Sequence, residues 1–159
     1  MDQNLILYDE QFLKTAHEVI EKAQRSILIS TFKAEICTKP RGRQLAKFFS
    51  VLSAKAQLNI DVRLLTNQVS PRGTIPITNL NAIQILQRGK VKVRCLRGER
   101  ICHAKLLLVD TFYVILGSHN LSVKSCHSNF EVSYFFKDLF LAEQLVRLYN
   151  SVWEQAFRP

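Results

Sequence analysis

The chain has 159 residues, the size of one domain, and an apolar fraction of 47% that suits a globular core. No apolar run reaches the roughly 18 residues that span a bilayer. Met1-Asp2-Gln3-Asn4 has neither the basic start nor the apolar core of an export signal, so one soluble, cytoplasmic domain over 1–159 is expected. A net charge of +9 points to an anionic partner, either nucleic acid or an anionic lipid surface.

In chain order, Leu5 to Tyr8 is a short apolar lead-in. Asp9 is placed to cap a helix running to about Gln24, with Phe12, Ala16, Val19, Ile20 and Ala23 at helical spacing. Ser26 to Phe32 is apolar and β-branched, the pattern of a buried strand. Pro40-Arg41-Gly42 breaks the chain before a helix from about Arg43 to Ala56, whose stripe is Leu45, Phe48, Phe49 and Leu52. Ile60 to Thr66 is the next strand, and Asn67 to Thr74, with Ser70-Pro71-Arg72-Gly73, reads as a loop. Asn79 suggests a cap for a helix over Leu80 to Gln87 that ends at Gly89. Val91 to Leu96 alternates as a strand, with Lys92 and Arg94 opposite Val91, Val93 and Cys95.

Two apolar strands follow, up to Val109 and from Phe112 to Leu116. Ser122 to Ser128 reads as a polar loop, Asn129 to Lys137 as a strand, and Asp138 to about Phe157 as a final helix. The alternation predicts an α/β domain built on a mixed, mostly parallel sheet with helices on both faces. Cys37, Cys95, Cys102 and Cys126 form no C-x-x-C pair, so reduced thiols are expected and neither a metal nor a cofactor is called for.

The chemistry concentrates in His103 to Asn120, HAKLLLVDTFYVILGSHN. On a strand, residues two apart share a face, so His103 and Lys105 project together. Asp110 closes the first apolar run, and Gly117-Ser118-His119-Asn120 closes the second. Gly117 permits an unusual backbone angle or a close approach. Downstream, Glu131 shares a face with Ser133 and needs a partner if buried; a histidine N–H would serve. Imidazole is a nucleophile or acid near neutral pH, and lysine and asparagine can hold phosphate oxygens, so the set suits phosphoryl transfer without a metal. Singly, each residue has an ordinary explanation as a turn, a surface charge or a core histidine.

The joint spacing His103-x-Lys105-x4-Asp110-x6-Gly117-Ser118-x-Asn120 resembles the signature of the phospholipase D superfamily, and the α/β order and Asn129-Phe130-Glu131 extend the resemblance over most of the chain. Superfamily enzymes usually carry two copies of the signature; this chain has one. Small single-copy members form homodimers in which two motifs make one site. The resemblance therefore implies a homodimer in which one His103 attacks phosphorus to form a phosphohistidine. The other His103 protonates the leaving oxygen, and Lys105 and Asn120 hold the phosphate. Ser118 assists, Glu131 orients His103, and Asp110 and Gly117 support the structure. His119, at the variable position, receives no role.

The substrate is expected to be DNA or RNA. From Arg88 to Lys105 there are seven basic residues against one acid, Glu99, so Arg88, Lys90, Lys92, Arg94, Arg97 and Arg100 form a candidate backbone track into the site. Arg72 and the Lys39–Arg43 loop would extend it. An anionic phospholipid of the cardiolipin type is the alternative substrate, and a catalytically silent nucleic-acid-binding module is the alternative from another class.

Overall fold

The computed structural model describes residues 4–37, 39–68, 78–97 and 99–159. Seven strands and five helices follow in the order β1 (Asn4–Tyr8), α1 (Glu10–Glu21), β2 (Ser26–Ser30), α2 (Arg43–Gln57), β3 (Asp61–Asn67), α3 (Thr78–Arg88) and β4 (Lys92–Leu96). They continue as β5 (Lys105–Val109), β6 (Tyr113–Gly117), α4 (Val123–His127), β7 (Val132–Lys137) and α5 (Leu139–Gln155). The loop around Arg72 lies outside the described residues.

One seven-stranded sheet has the order β1-β7-β6-β5-β2-β3-β4. It is mixed and flanked by helices on both faces, as the alternation predicts. The expected parallel majority does not hold. Only β2–β3 and β3–β4 are parallel, while β1–β7, β7–β6, β6–β5 and β5–β2 are antiparallel. Helical crossovers enforce parallel pairing only where they occur. The short Asp110–Thr111 turn makes β5–β6 a hairpin, and β5 enters beside β2 from the opposite direction. The lead-in at 5–8 is itself an edge strand, paired to β7.

The apolar stripes of α1, α2 and α3, including Leu13, Phe48, Leu52 and Leu86, pack on one face of the sheet against Ile27, Leu64, Leu107 and Phe135. On the other face α5 packs Tyr149 and Trp153 against Leu28, Leu65 and Leu108. Fully burying each such side chain contributes roughly 1.5–3 kcal/mol, so both layers are anchored. Local signals hold where a stripe or cap dominates: Asp138 caps α5 by accepting from Leu141 N.

Three readings of polar residues are corrected. Asp9 precedes α1 at φ 46° and makes no side-chain cap bond. Asn79 is fully buried one residue inside α3; instead of capping the helix, it donates to Phe32 O and accepts from Ala34 N. The polar stretch 122–128 holds the short helix α4, because the Ser122 side chain accepts from Ser125 N as an N-cap. The final strand also starts later than expected, at Val132, leaving Glu131 just ahead of it.

Candidate active site

The C-terminal ends of β2, β3, β4 and β6 and the starts of β5 and β7 converge on one end of the sheet. A buried amide network holds that end. Asn67 donates to Cys102 O at 3.0 Å and accepts from Cys102 N at 2.6 Å, which fixes the residue before His103. Asn79 bonds Thr66 Oγ1, and Thr66 bonds Thr31 O. These buried polar groups are paired, so the loops they join are held in one geometry.

On that frame His103 is exposed, and its ring leans on Phe32 at 5.5 Å. Lys105 Nζ lies 3.1 Å from His103 Nδ1 and 2.6 Å from its carbonyl oxygen. A lysine ammonium only donates. Facing it, Nδ1 accepts, so the ring proton sits on Nε2, the nitrogen that faces away from Lys105. Burial pulls the Lys105 pKa below the usual lysine value, while the Glu131 carboxylate opposes the shift.

Across β6, Asn120 Oδ1 accepts from Lys33 N at 3.0 Å and Thr31 Oγ1 at 3.3 Å. A backbone N–H can only donate, which settles the amide orientation and leaves Nδ2 to donate to a ligand. Ser118 Oγ is exposed and held by Val132 N at 3.1 Å. A methyl group at Gly117 would collide with the Ser133 Cα and the Val132 carbonyl, so the glycine serves a close approach of β6 to β7.

His103, Lys105, Ser118 and Asn120 thus share one end of the sheet, while Asp110 lies at the other. Its carboxylate accepts from Gln24 N, Arg25 N and Ser26 N, each at 2.8 Å, tying the hairpin turn to the start of β2. Asp110 (φ 53°) and Thr111 (φ 55°) both occupy the left-handed region in that turn.

The expected bond from Glu131 to His103 is absent within the chain. Glu131 accepts from Ser125 Oγ at 2.8 Å and Asn129 Nδ2 at 3.1 Å. The reason is strand order: β6 lies between β7 and β5, and each strand adds about 4.8 Å. Burial pushes the Glu131 pKa up, but hydrogen bonds from Ser118, Asn129 and Ser125 outweigh it and hold the carboxyl below its ordinary value. Ser125 Oγ also accepts from Asn120 N at 2.8 Å, so Glu131 reaches the site through Ser125 and Asn120. His119 points into the core, stacked on Phe12 at 4.4 Å with Nδ1 2.8 Å from Ser133 Oγ.

The basic tract does not form one track. Lys92 pairs with Asp61 at 2.8 Å. Arg94 bonds Trp153 O and Glu154 and lies over the Trp153 ring at 5.1 Å. Arg97 covers Phe157, and Arg100 bonds Gln155. Arg94, Arg97 and Arg100 hold the C-terminal segment against the sheet edge, and Lys92 is held by β3. Arg88 and Lys90 precede β4, at the end of the sheet away from His103.

Thr31, Asn67, Asn79 and Ser125 were not singled out as site residues by the sequence. Thr31, Asn67 and Asn79 act through partners remote in sequence, so only the strand order exposes them; Ser125 lies close in sequence to Asn120 and Glu131, but its one local signal, Ser122-x-x-Ser125, is that of a helix cap.

A model of the family described as "Cardiolipin synthase, PLD-like domain" matches residues 17–153. A cardiolipin synthase of Halalkalibacterium halodurans is 29% identical over 122 residues, which are 76% of this chain and 24% of the relative, so the chain spans about a quarter of that protein. Nuc from Salmonella typhimurium, a phospholipase D family member, superposes with a TM-score of 0.79 at 18% identity, covering 99% of each chain. NucT from Helicobacter pylori gives 0.71 at 18% identity, again with 99% of each chain covered. With the family model matched over most of its length, the chain belongs to the phospholipase D superfamily, in the family of cardiolipin synthase PLD-like domains.

Proposed function

We propose that the chain is a phosphodiesterase that cleaves DNA or RNA through a phosphohistidine, at a site that two copies complete. The carrying observation is the exposed His103 ring with Lys105 on its Nδ1. Lys105 can pass a proton to Nδ1, and the imidazolium so formed protonates the leaving oxygen through Nε2–H and is left as neutral imidazole. The nucleophile must be a second imidazole with a free Nε2. Among the described residues the other histidines are engaged elsewhere: His17 with Gln44, His119 in the core and His127 with Glu10. A second copy supplies that imidazole as its own His103. There a phosphate oxygen drawing Lys105 away releases Nδ1, so the ring proton can move and free Nε2.

The chemistry then balances. His103 Nε2 of one copy bonds to phosphorus, the P–O bond to the leaving group breaks, and the leaving oxygen takes the Nε2 proton of the other His103, whose ring, protonated on Nδ1 from its Lys105, is left as neutral imidazole. That imidazole next removes a proton from water, whose oxygen displaces the phosphohistidine nitrogen. Lys105 and the Asn120 Nδ2 amide stabilise the charge on the non-bridging oxygens. These residues supply nucleophile, acid and charge stabilisation themselves, so the reaction is expected to proceed in EDTA.

The surface beside the half-site supports a second copy. On the α5 face of the sheet, Ile6 (61% exposed), Tyr134 (40%) and Leu116 (41%) lie side by side on β1, β7 and β6, with Val132 (41%) on the same face of β7. A contiguous exposed apolar patch of this kind is an association surface. The excess of positive charge fits the polyanionic backbone of a nucleic acid, as it would an anionic lipid surface. One observation favours a phospholipid instead: an apolar cleft of about 360 Å³ between His103 and α5, lined by Leu96, Ile101, Leu145 and Leu148.

The test is a panel in EDTA of single- and double-stranded DNA, RNA and cardiolipin vesicles. Cleavage of nucleic acid is expected. Cleavage of lipid alone overturns the nuclease reading, and a fully active monomer at high dilution overturns the shared site.

A further inference from the structure

A second basic region lies against the site on the face opposite the apolar cleft. Lys33, Lys39, Arg41 and Lys124 line an open groove of about 800 Å³, with Glu35 the one acid lining it among the described residues. The groove is continuous with Asn120. Lys33 N donates to Asn120 Oδ1, Glu35 N donates to Leu121 O at 2.8 Å, and Ala34 bridges to Leu121. The segment that holds the phosphate-facing amide therefore also forms the groove wall.

The charge in this groove is available. Glu35 is engaged by Lys33 at 3.4 Å and by Val123 N. Lys39, Arg41 and Lys124 are exposed, and none pairs with a carboxylate among the described residues. Thr78, whose buried Oγ1 has no hydrogen-bond partner among the described residues, also lines the groove. In the Arg88–Arg100 tract, by contrast, four of six cations are held by Asp61 or the C-terminal segment.

From this we infer that the strand flanking the scissile phosphate runs through the Lys33–Lys124 groove, with Lys39, Arg41 and Lys124 on successive backbone phosphates, and not along the Arg88–Arg100 edge. The assignment rests on the nuclease reading and gives it a direction. The contacts are to backbone and carry no base preference.

The experiment measures binding of a short fluorescein-labelled single-stranded DNA to the full chain carrying His103→Ala, so that it is not cut, over a range of salt. The triple variant Lys39→Ala, Arg41→Ala, Lys124→Ala is compared with Arg88→Ala, Lys90→Ala, and thermal unfolding verifies that each variant folds. Each lost phosphate contact on a single strand lowers the slope of log K against log salt by about 0.7. The triple variant is expected to lower the slope by about 2 and to weaken binding roughly 10–100-fold at 0.1 M salt. The Arg88/Lys90 pair is expected to change neither.

An unchanged slope in the triple variant, or a larger loss in the Arg88/Lys90 pair, overturns the groove assignment alone. A chain with native His103 that cuts no nucleic acid, with binding only to anionic vesicles, overturns the nuclease reading and the groove with it.

Discussion

The two ends of the β5–β6 hairpin carry similar polar side chains and use them in opposite ways. At the turn, Asp110 is saturated by three backbone N–H groups. At the open end, His103 and Ser118 are exposed, and Asn120 keeps its amide donor unbonded while its oxygen is held. A polar group with every bond made within the fold contributes to stability. A group held in position with its reactive atom unused is available for a ligand. Spacing groups these residues together; the resemblance assigns Asp110 to support, and the geometry supplies the physical reason.

That contrast can be broken from either end. The largest effect is expected from His103→Ala, which should lower diester cleavage by roughly 10³-fold or more with the denaturation midpoint unchanged; a stability loss instead would make His103 scaffold. Lys105→Ala and Asn120→Ala should each lower kcat by roughly 10²–10³-fold, as for other donors to developing charge. Tyr134→Asp, in the exposed patch, should yield a monomer by sedimentation whose activity falls with its dimer fraction.

At the other end, Asp110→Ala should destabilise by about 2–4 kcal/mol in urea unfolding, since the three N–H groups lose a charged acceptor, while kcat holds at temperatures where the variant is folded. Gly117→Ala should cost about 1–3 kcal/mol through the clash with the β7 backbone.

The smallest effect is on pH dependence. Burial holds the His119 pKa below its ordinary value, so the folded state disfavours its proton. Its stabilising contribution is complete above the unfolded value of about 6.5 and falls as pH drops through the lower folded value. Glu131 behaves likewise below about 4.5. His119→Gln should flatten stability against pH below 6.5 and leave the more acidic limb, which Glu131→Gln should reduce.

Much of the fold was legible because its signals are local. The stripe Leu45, Phe48, Phe49, Leu52 and the Asp138 cap are decided within one helix. The motif was legible because β5 and β6 form a hairpin, so spacing in sequence becomes proximity in space. What was not legible depended on contacts between elements remote in sequence. Within one chain Glu131 does not reach His103, because β6 intervenes, and Ser125 of α4 bonds its carboxylate instead. Asn79 read as a cap because asparagine often caps, yet it pins residues 32 and 34 from inside α3. The basic tract looked continuous along the chain, but a run that includes a strand and a turn distributes its charges between two ends of a sheet.

Cysteine reactivity illustrates the same dependence on environment. Cys102 adjoins His103, yet burial pushes its thiol to about 11, leaving it protonated at neutral pH.

The central claim is that phosphorus passes through His103, so that bond cleavage takes two displacements. The most direct measurement is the stereochemical course of hydrolysis of a chiral phosphorothioate diester in heavy-oxygen water. Two in-line displacements predict overall retention of configuration at phosphorus. Inversion would show that water attacks the diester in one step, and would contradict a phosphohistidine at this site.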